Sequence, residues 1–173
     1  MTRRSLLRDR LGSAGAEMAL VAPLLCAIML GSVELGSFFY NEHILTKAVR
    51  DGARYAARRS FSFYESGGNC ANPTDATLIA NVRALVRTSL LSAGTDRFPD
   101  IQDSDITVTA ACSATVSGQS MSGIYQGRTG GTAGAPVVTV TASIDYNPVI
   151  GAFGFTGAGL KLNARQQAAV MGI

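Results

Sequence analysis

Charged side chains are scarce in this sequence: they make up 16% of its 173 residues, against about 25% in an average soluble domain. A single histidine is present, which removes most zinc sites and most histidine-based catalysis. Five prolines and nineteen glycines follow no period, so collagen-like and solenoid architectures are excluded. Disorder is excluded as well, because 47% of the residues are hydrophobic and the net charge is only +3. Together with a mean hydropathy of +0.21, this is the composition of a membrane-anchored chain.

The basic excess is local. Residues 1–12, MTRRSLLRDRLG, hold four arginines and one aspartate and so carry the whole +3, leaving residues 13–173 formally neutral. A pI near 9 would ordinarily raise the question of nucleic acid. Here a short leader accounts for it, and no nucleic-acid partner is expected.

From Met18 to Tyr40 the chain reads MALVAPLLCAIMLGSVELGSFFY, with no charge before Glu34. As a helix this stretch rises about 34 Å, enough to cross a hydrocarbon layer of about 30 Å with some tilt. Pro23 lies near its start, where a bilayer helix tolerates it at the cost of a kink. A cleaved secretory signal would have a shorter apolar core and a small-x-small cut site. A lipoprotein signal would place a small residue before its cysteine, whereas Cys26 follows Leu24 and Leu25. The segment reads as a retained anchor in a lipid bilayer.

The junction before the anchor is more specific. Gly12-Ser13-Ala14-Gly15-Ala16-Glu17 places a glycine five residues before a glutamate, between the arginines and the apolar run. This resembles a type IV prepilin processing site, in which a prepilin peptidase cuts after the glycine. The resemblance implies a leader over 1–12, cleavage between Gly12 and Ser13, and a new ammonium on Ser13. That ammonium would neutralise Glu17 of a neighbouring subunit and set the axial register. An unpaired carboxylate at the edge of hydrocarbon costs several kcal/mol, so such residues tend to be functional. The alternative is a glutamate at the lipid headgroups pairing with leader arginines.

Three further elements sharpen the likeness: AEMALVAPLL at 16–25, ELGSFFY at 34–40 and LTKAVRDGARYAA at 45–57. Residues 12–59 resemble the TadE/TadG-like family, pilin-like proteins of the tight-adherence (Flp) pilus machinery. The resemblance implies a minor pilin-like, non-enzymatic component acting structurally in pilus assembly or initiation. Its partners would be the prepilin peptidase, other pilin-like subunits and the inner-membrane assembly platform. It also places the leader in the bacterial cytoplasm and the C-terminal domain in the periplasm, with incorporation into an extracellular pilus open. The positive-inside count does not orient the anchor, since the leader has four Lys/Arg and residues 41–59 have five. An uncleaved membrane-tethered scaffold or binding module, or a minor pseudopilin of type II secretion, are the competing readings.

The membrane helix is expected to continue outward over 13–59, because Ile44, Ala48 and Tyr55, and Leu45, Ala48, Gly52 and Ala56, recur at helical spacing. Arg50, Arg54 and Arg58 stack along it as a solvated face or a contact for an acidic partner. Ala27 with Gly31, and Ser32 with Gly36, are small residues at four-residue spacing that permit close helix packing.

Residues 60–173 read as a small α+β domain, one helix packed on an antiparallel sheet of about three strands. Asn72-Pro73-Thr74-Asp75 predicts a helix start with Thr74 or Asp75 as cap. Leu78, Ile79, Val82, Leu85, Val86 and Leu90 supply its apolar face, with Gly94 as the stop. Alternation predicts strands over 106–116, 137–146 and 160–170, with 117–135 a flexible Gly/Ser-rich loop. If the domain faces an oxidising periplasm, Cys70 and Cys112 are expected to form one disulfide, closing a 42-residue span for about 4 kcal/mol in the chain-entropy model. Two free thiols are the alternative.

The remaining candidate chemistry is thin. Gly127–Thr132 lacks the Gly-Lys-Ser/Thr of a phosphate loop and reads as loop. Asp96, Asp100, Asp103 and Asp105 match no calcium-loop spacing and read as solvated turn residues. No histidine or cysteine is placed to activate a serine. No metal, cofactor or catalytic residue is expected.

Overall fold

The computed structural model describes residues 11–172 apart from 68, 93, 114, 117–118, 121, 127–133, 155–156 and 158. The leader arginines and the 127–132 glycine run lie outside the described residues. A single helix, α1, runs from Leu11 to Ala57 and passes through Pro23. Its continuity past Tyr40 follows from the run of helix-compatible residues and from the packed small-residue face described below.

The chain divides into two compact units, one grouping α1 up to Phe39 with the segment from Asn147, the other holding the rest of the described chain from Tyr40. In the second unit, β1 (Glu65–Ser66) and β2 (Asn69–Cys70) form a short hairpin that leads to α2 (Ala76–Thr88). Then come β3 (Ile106–Ser113), β4 (Thr115–Val116), β5 (Gln119–Ser120), β6 (Ala135–Asp145) and β7 (Lys161–Ala169). The main sheet is antiparallel, ordered β3-β6-β7, with Val140 opposite both Val108 and Gln166. The α+β expectation holds, with a long apolar helix, one further helix and antiparallel sheets.

Asp75 is the cap of α2, its Oδ1 accepting the Leu78 N–H at 2.7 Å. The buried stripe is Leu78, Val82 and Val86. Leu90, expected on that stripe, is instead exposed, because the helix stops at Thr88 and Ser89 turns into the left-handed region at φ 70°. The Ser89 N–H still closes onto the Leu85 carbonyl, and the Thr88 hydroxyl accepts the Leu90 N–H. These side-chain and backbone bonds end the helix before Gly94 is reached.

Alternation in β3 buries the Ile106, Val108, Ala110 and Cys112 side relative to Thr107, Thr109 and Ala111. The strand expected to run to 116 ends at Ser113, and Thr115–Val116 pairs instead with Gln119–Ser120. The 117–135 connection is therefore partly ordered. Its Tyr125 hydroxyl donates to the Val170 carbonyl at 2.8 Å, and its ring meets Phe61 edge-on.

The core of this unit uses α1 itself. Leu45, Ala48, Val49, Ala53, Ala56 and Ala57 are buried on one face. Tyr64 is fully buried, and its hydroxyl donates to the Ala56 carbonyl at 2.7 Å. The Met171 N–H donates to the Ala57 carbonyl at 2.8 Å, so the chain beyond β7 satisfies an acceptor that the helix end leaves open.

Candidate assembly interface

Within the first unit, Met18, Leu20, Val21, Leu24, Leu25, Ile28, Met29, Val33 and Leu35 are all exposed. Such an array has no place in water, where exposed apolar patches mark partners or membrane. Among the described residues one helix is long and apolar enough to cross a membrane, and none of its most apolar window is buried.

Gly12 and Ser13 lie within α1. Glu17 is exposed one turn later. Ala27, Gly31, Ser32 and Gly36 are likewise exposed, and a β-carbon added at Gly31 or Gly36 would meet nothing within 4 Å. The Ser32 hydroxyl donates back to the Ile28 carbonyl at 2.8 Å, which satisfies it within the helix. Cys26 is a free, exposed cysteine on the same helix.

Further along α1, Lys47, Arg50, Arg54 and Arg58 are exposed in one row, opposite the buried small-residue face. Arg59 departs from this row: it stacks over the Tyr55 ring at 4.1 Å and bonds the Tyr55 hydroxyl, which also accepts from Asn81.

Cys70 and Cys112 are joined by a disulfide with their α-carbons 5.8 Å apart. It works beside a second tie, since Asn72 Oδ1 accepts the Ala110 N–H at 2.8 Å. The 69–72 segment is thus held along β3, an edge of the main sheet, and covers part of an edge that would otherwise pair with other chains.

Two groupings were not legible beforehand. Asp96 and Asp103 are not simply solvated: Arg87 binds Asp96 through two nitrogens at 3.1 and 2.8 Å and Asp103 at 2.8 Å. These hydrogen bonds raise the Arg87 pKa further, so the cation is permanent. The signal was a lone arginine at the end of an amphipathic helix followed by an aspartate-rich turn. Among the described residues no cluster of ligating side chains could hold a metal.

The second grouping involves Glu34. Its Oε2 accepts the backbone N–H of Ile150 at 3.0 Å, within the first unit. No local periodicity announces a pairing of residues 116 apart.

Residues 12–54 match the family model of TadE-like proteins, which bears out the resemblance read from the chain over that segment. No curated protein and no solved structure matches the chain.

Proposed function

We propose that this chain is a minor pilin-like component of the tight-adherence (Flp) pilus system, acting structurally in pilus assembly or initiation. The observation that carries the reading is the coincidence of the TadE-like match, residues 12–54, with an apolar helix surface that the chain leaves uncovered. In this reading α1 is made in the inner membrane with the leader cytoplasmic and the C-terminal domain periplasmic. A prepilin peptidase cuts between Gly12 and Ser13. The Ser13 ammonium then meets Glu17 of an adjacent pilin-like subunit, which removes an otherwise costly charge from hydrocarbon and sets the axial register. The exposed Ala27/Gly31 and Ser32/Gly36 pairs let neighbouring helices approach closely. The assembly platform is the remaining partner.

The test is complementation. A host lacking the chain regains surface pili when it is supplied intact, and regains few with Glu17→Ala, although the variant accumulates in the membrane. Full piliation without the chain would remove the proposed role.

A second reading, an uncleaved membrane-tethered scaffold, draws on the helical geometry across Gly12 and Ser13. The two separate on the N-terminal residue of the mature protein.

A further inference from the structure

The connection between β6 and β7 carries an unusual sequence for a surface loop. Residues 148–155 read Pro-Val-Ile-Gly-Ala-Phe-Gly-Phe, eight residues without one charged or hydrogen-bonding side chain. Loops in water are ordinarily polar, and a run of this length without a polar group is a defect unless it has a use. Val149 is 58% exposed, whereas Ile150 is buried.

The segment belongs with the apolar helix, in the unit that contains α1 up to Phe39. Its backbone is arranged for a poorly hydrated setting. Val149–Phe153 forms a 3-10 turn in which the Gly151 N–H donates to the Pro148 carbonyl and the Gly154 N–H to the Gly151 carbonyl. Pro148 has no N–H to satisfy. The Ile150 N–H goes to Glu34. Irregular backbone near hydrocarbon is tolerated when its polar groups are met by protein in this way.

The depth of Glu34 follows from the helix rise. It stands sixteen residues after Met18, about 24 Å along α1, while the hydrocarbon layer is about 30 Å thick. With Met18 at the inner boundary, Glu34 and the turn bonded to it lie about 6 Å inside the outer one. That depth is the headgroup–acyl boundary, where interfacial elements bury their apolar side by about 5–10 Å. Exposed Phe39 and Tyr40, one to two turns beyond, fit the aromatic belt at the same surface.

We infer that the 148–154 turn is a second membrane-contacting element, seated in the outer leaflet of the lipid bilayer beside α1 and held there by the Glu34 carboxylate. The occupant of the exposed Val149 side is lipid, because the turn is bonded to α1 at Glu34, which stands between the exposed Val33 and Leu35. Its role is to fix the depth at which the chain rides in the membrane before assembly. The inference rests on the membrane reading of α1, but not on leader cleavage or incorporation into a pilus.

The chain contains no tryptophan, so one introduced residue reports its own surroundings. Full-length Val149→Trp, reconstituted into phosphatidylcholine–phosphatidylglycerol vesicles, is compared with Ile28→Trp in the anchor and Leu91→Trp in the exposed turn after α2. The expected result is that Val149→Trp loses most of its emission to lipids brominated near the top of the acyl chain and little to aqueous iodide. Leu91→Trp should show the reverse. Adding Glu34→Leu to Val149→Trp should restore iodide quenching, whereas Glu34→Gln, which keeps an acceptor oxygen, should not. If Ile28→Trp responds to bromolipid and Val149→Trp does not, the inference is overturned while the anchor stands. Quenching of Val149→Trp by iodide would place the turn in water, and shielding from both quenchers would place it against protein. Failure of Ile28→Trp to respond would overturn the anchor and the inference together.

Discussion

Gly52 of α1 lies directly against Val86 of α2: a β-carbon at position 52 would sit 2.8 Å from Val86 Cγ2 and 3.4 Å from Val82 Cγ1. Gly52→Ala therefore sets a gain in helix propensity of about 1 kcal/mol against an overpacking cost of about 1–3 kcal/mol. The expected net effect is modest destabilisation, measured by chemical denaturation of the full chain in detergent. In a Val86→Ala background the clash is gone, and the same substitution should become neutral or stabilising. A double-mutant cycle reads this coupling directly. Gly52→Leu should cost about 3 kcal/mol or more.

Burial pushes the Tyr64 phenol up to about 12, against a smaller opposing pull from the Arg59 charge. The folded protein thus holds this proton more tightly than the unfolded chain, whose tyrosine titrates near 10. The stability that follows is fully present below about pH 10 and is lost as pH rises towards 12. Tyr64→Phe should remove that part of the alkaline decline. At neutral pH it should cost about 1 kcal/mol for the lost bond to the Ala56 carbonyl, which still accepts the Arg59 N–H. Denaturation midpoints of the two proteins between pH 7 and pH 12 test both statements.

The disulfide between Cys70 and Cys112 closes a span of 42 residues. Replacing both with serine should lower stability by about 4 kcal/mol in the chain-entropy model. The Asn72–Ala110 bond keeps the same segment on the same strand, so the fold should survive the loss. Amide exchange should therefore rise over 69–72 and along β3, with less change in β7 at the far edge of the sheet.

Arg87 binds two aspartates that follow it in the chain, and each partner remains partly exposed. Asp103→Asn should cost less than about 1 kcal/mol, as expected for a solvent-screened pair. Arg87→Ala should have a larger effect, because it leaves two carboxylates facing each other and also removes packing from the side-chain stem. Comparison of denaturation midpoints, with and without added salt, separates the two contributions.

What could be read in the residues alone was whatever repeats locally. The helical spacing of Leu78, Val82 and Val86 corresponds to a buried face, and the period-two alternation of Ile106, Val108 and Ala110 to the less exposed face of β3. The apolar run from Met18 marked the exposed helix, and the residues around Gly12 and Glu17 lie in the segment, 12–54, that matches the TadE-like family model. Apart from the Cys70–Cys112 disulfide, features made by closure of distant segments were not legible. The Glu34–Ile150 bond, the Arg87 pairs and the Met171 bond to Ala57 each join segments whose proximity arises only after the chain has folded. The C-terminal end of α2 also escaped, because Ser89 reverses the chain through its own backbone conformation before the expected glycine. The two-residue strands β4 and β5 carry too few residues to show a period.

The central claim turns on a single peptide bond. The N-terminal residue of the membrane-extracted protein should be determined by mass spectrometry, from cells with and without the matching prepilin peptidase. The account predicts a chain beginning at Ser13 when the peptidase is present and at Met1 when it is absent. A chain that begins at Met1 in both would contradict it and leave the tethered scaffold as the function.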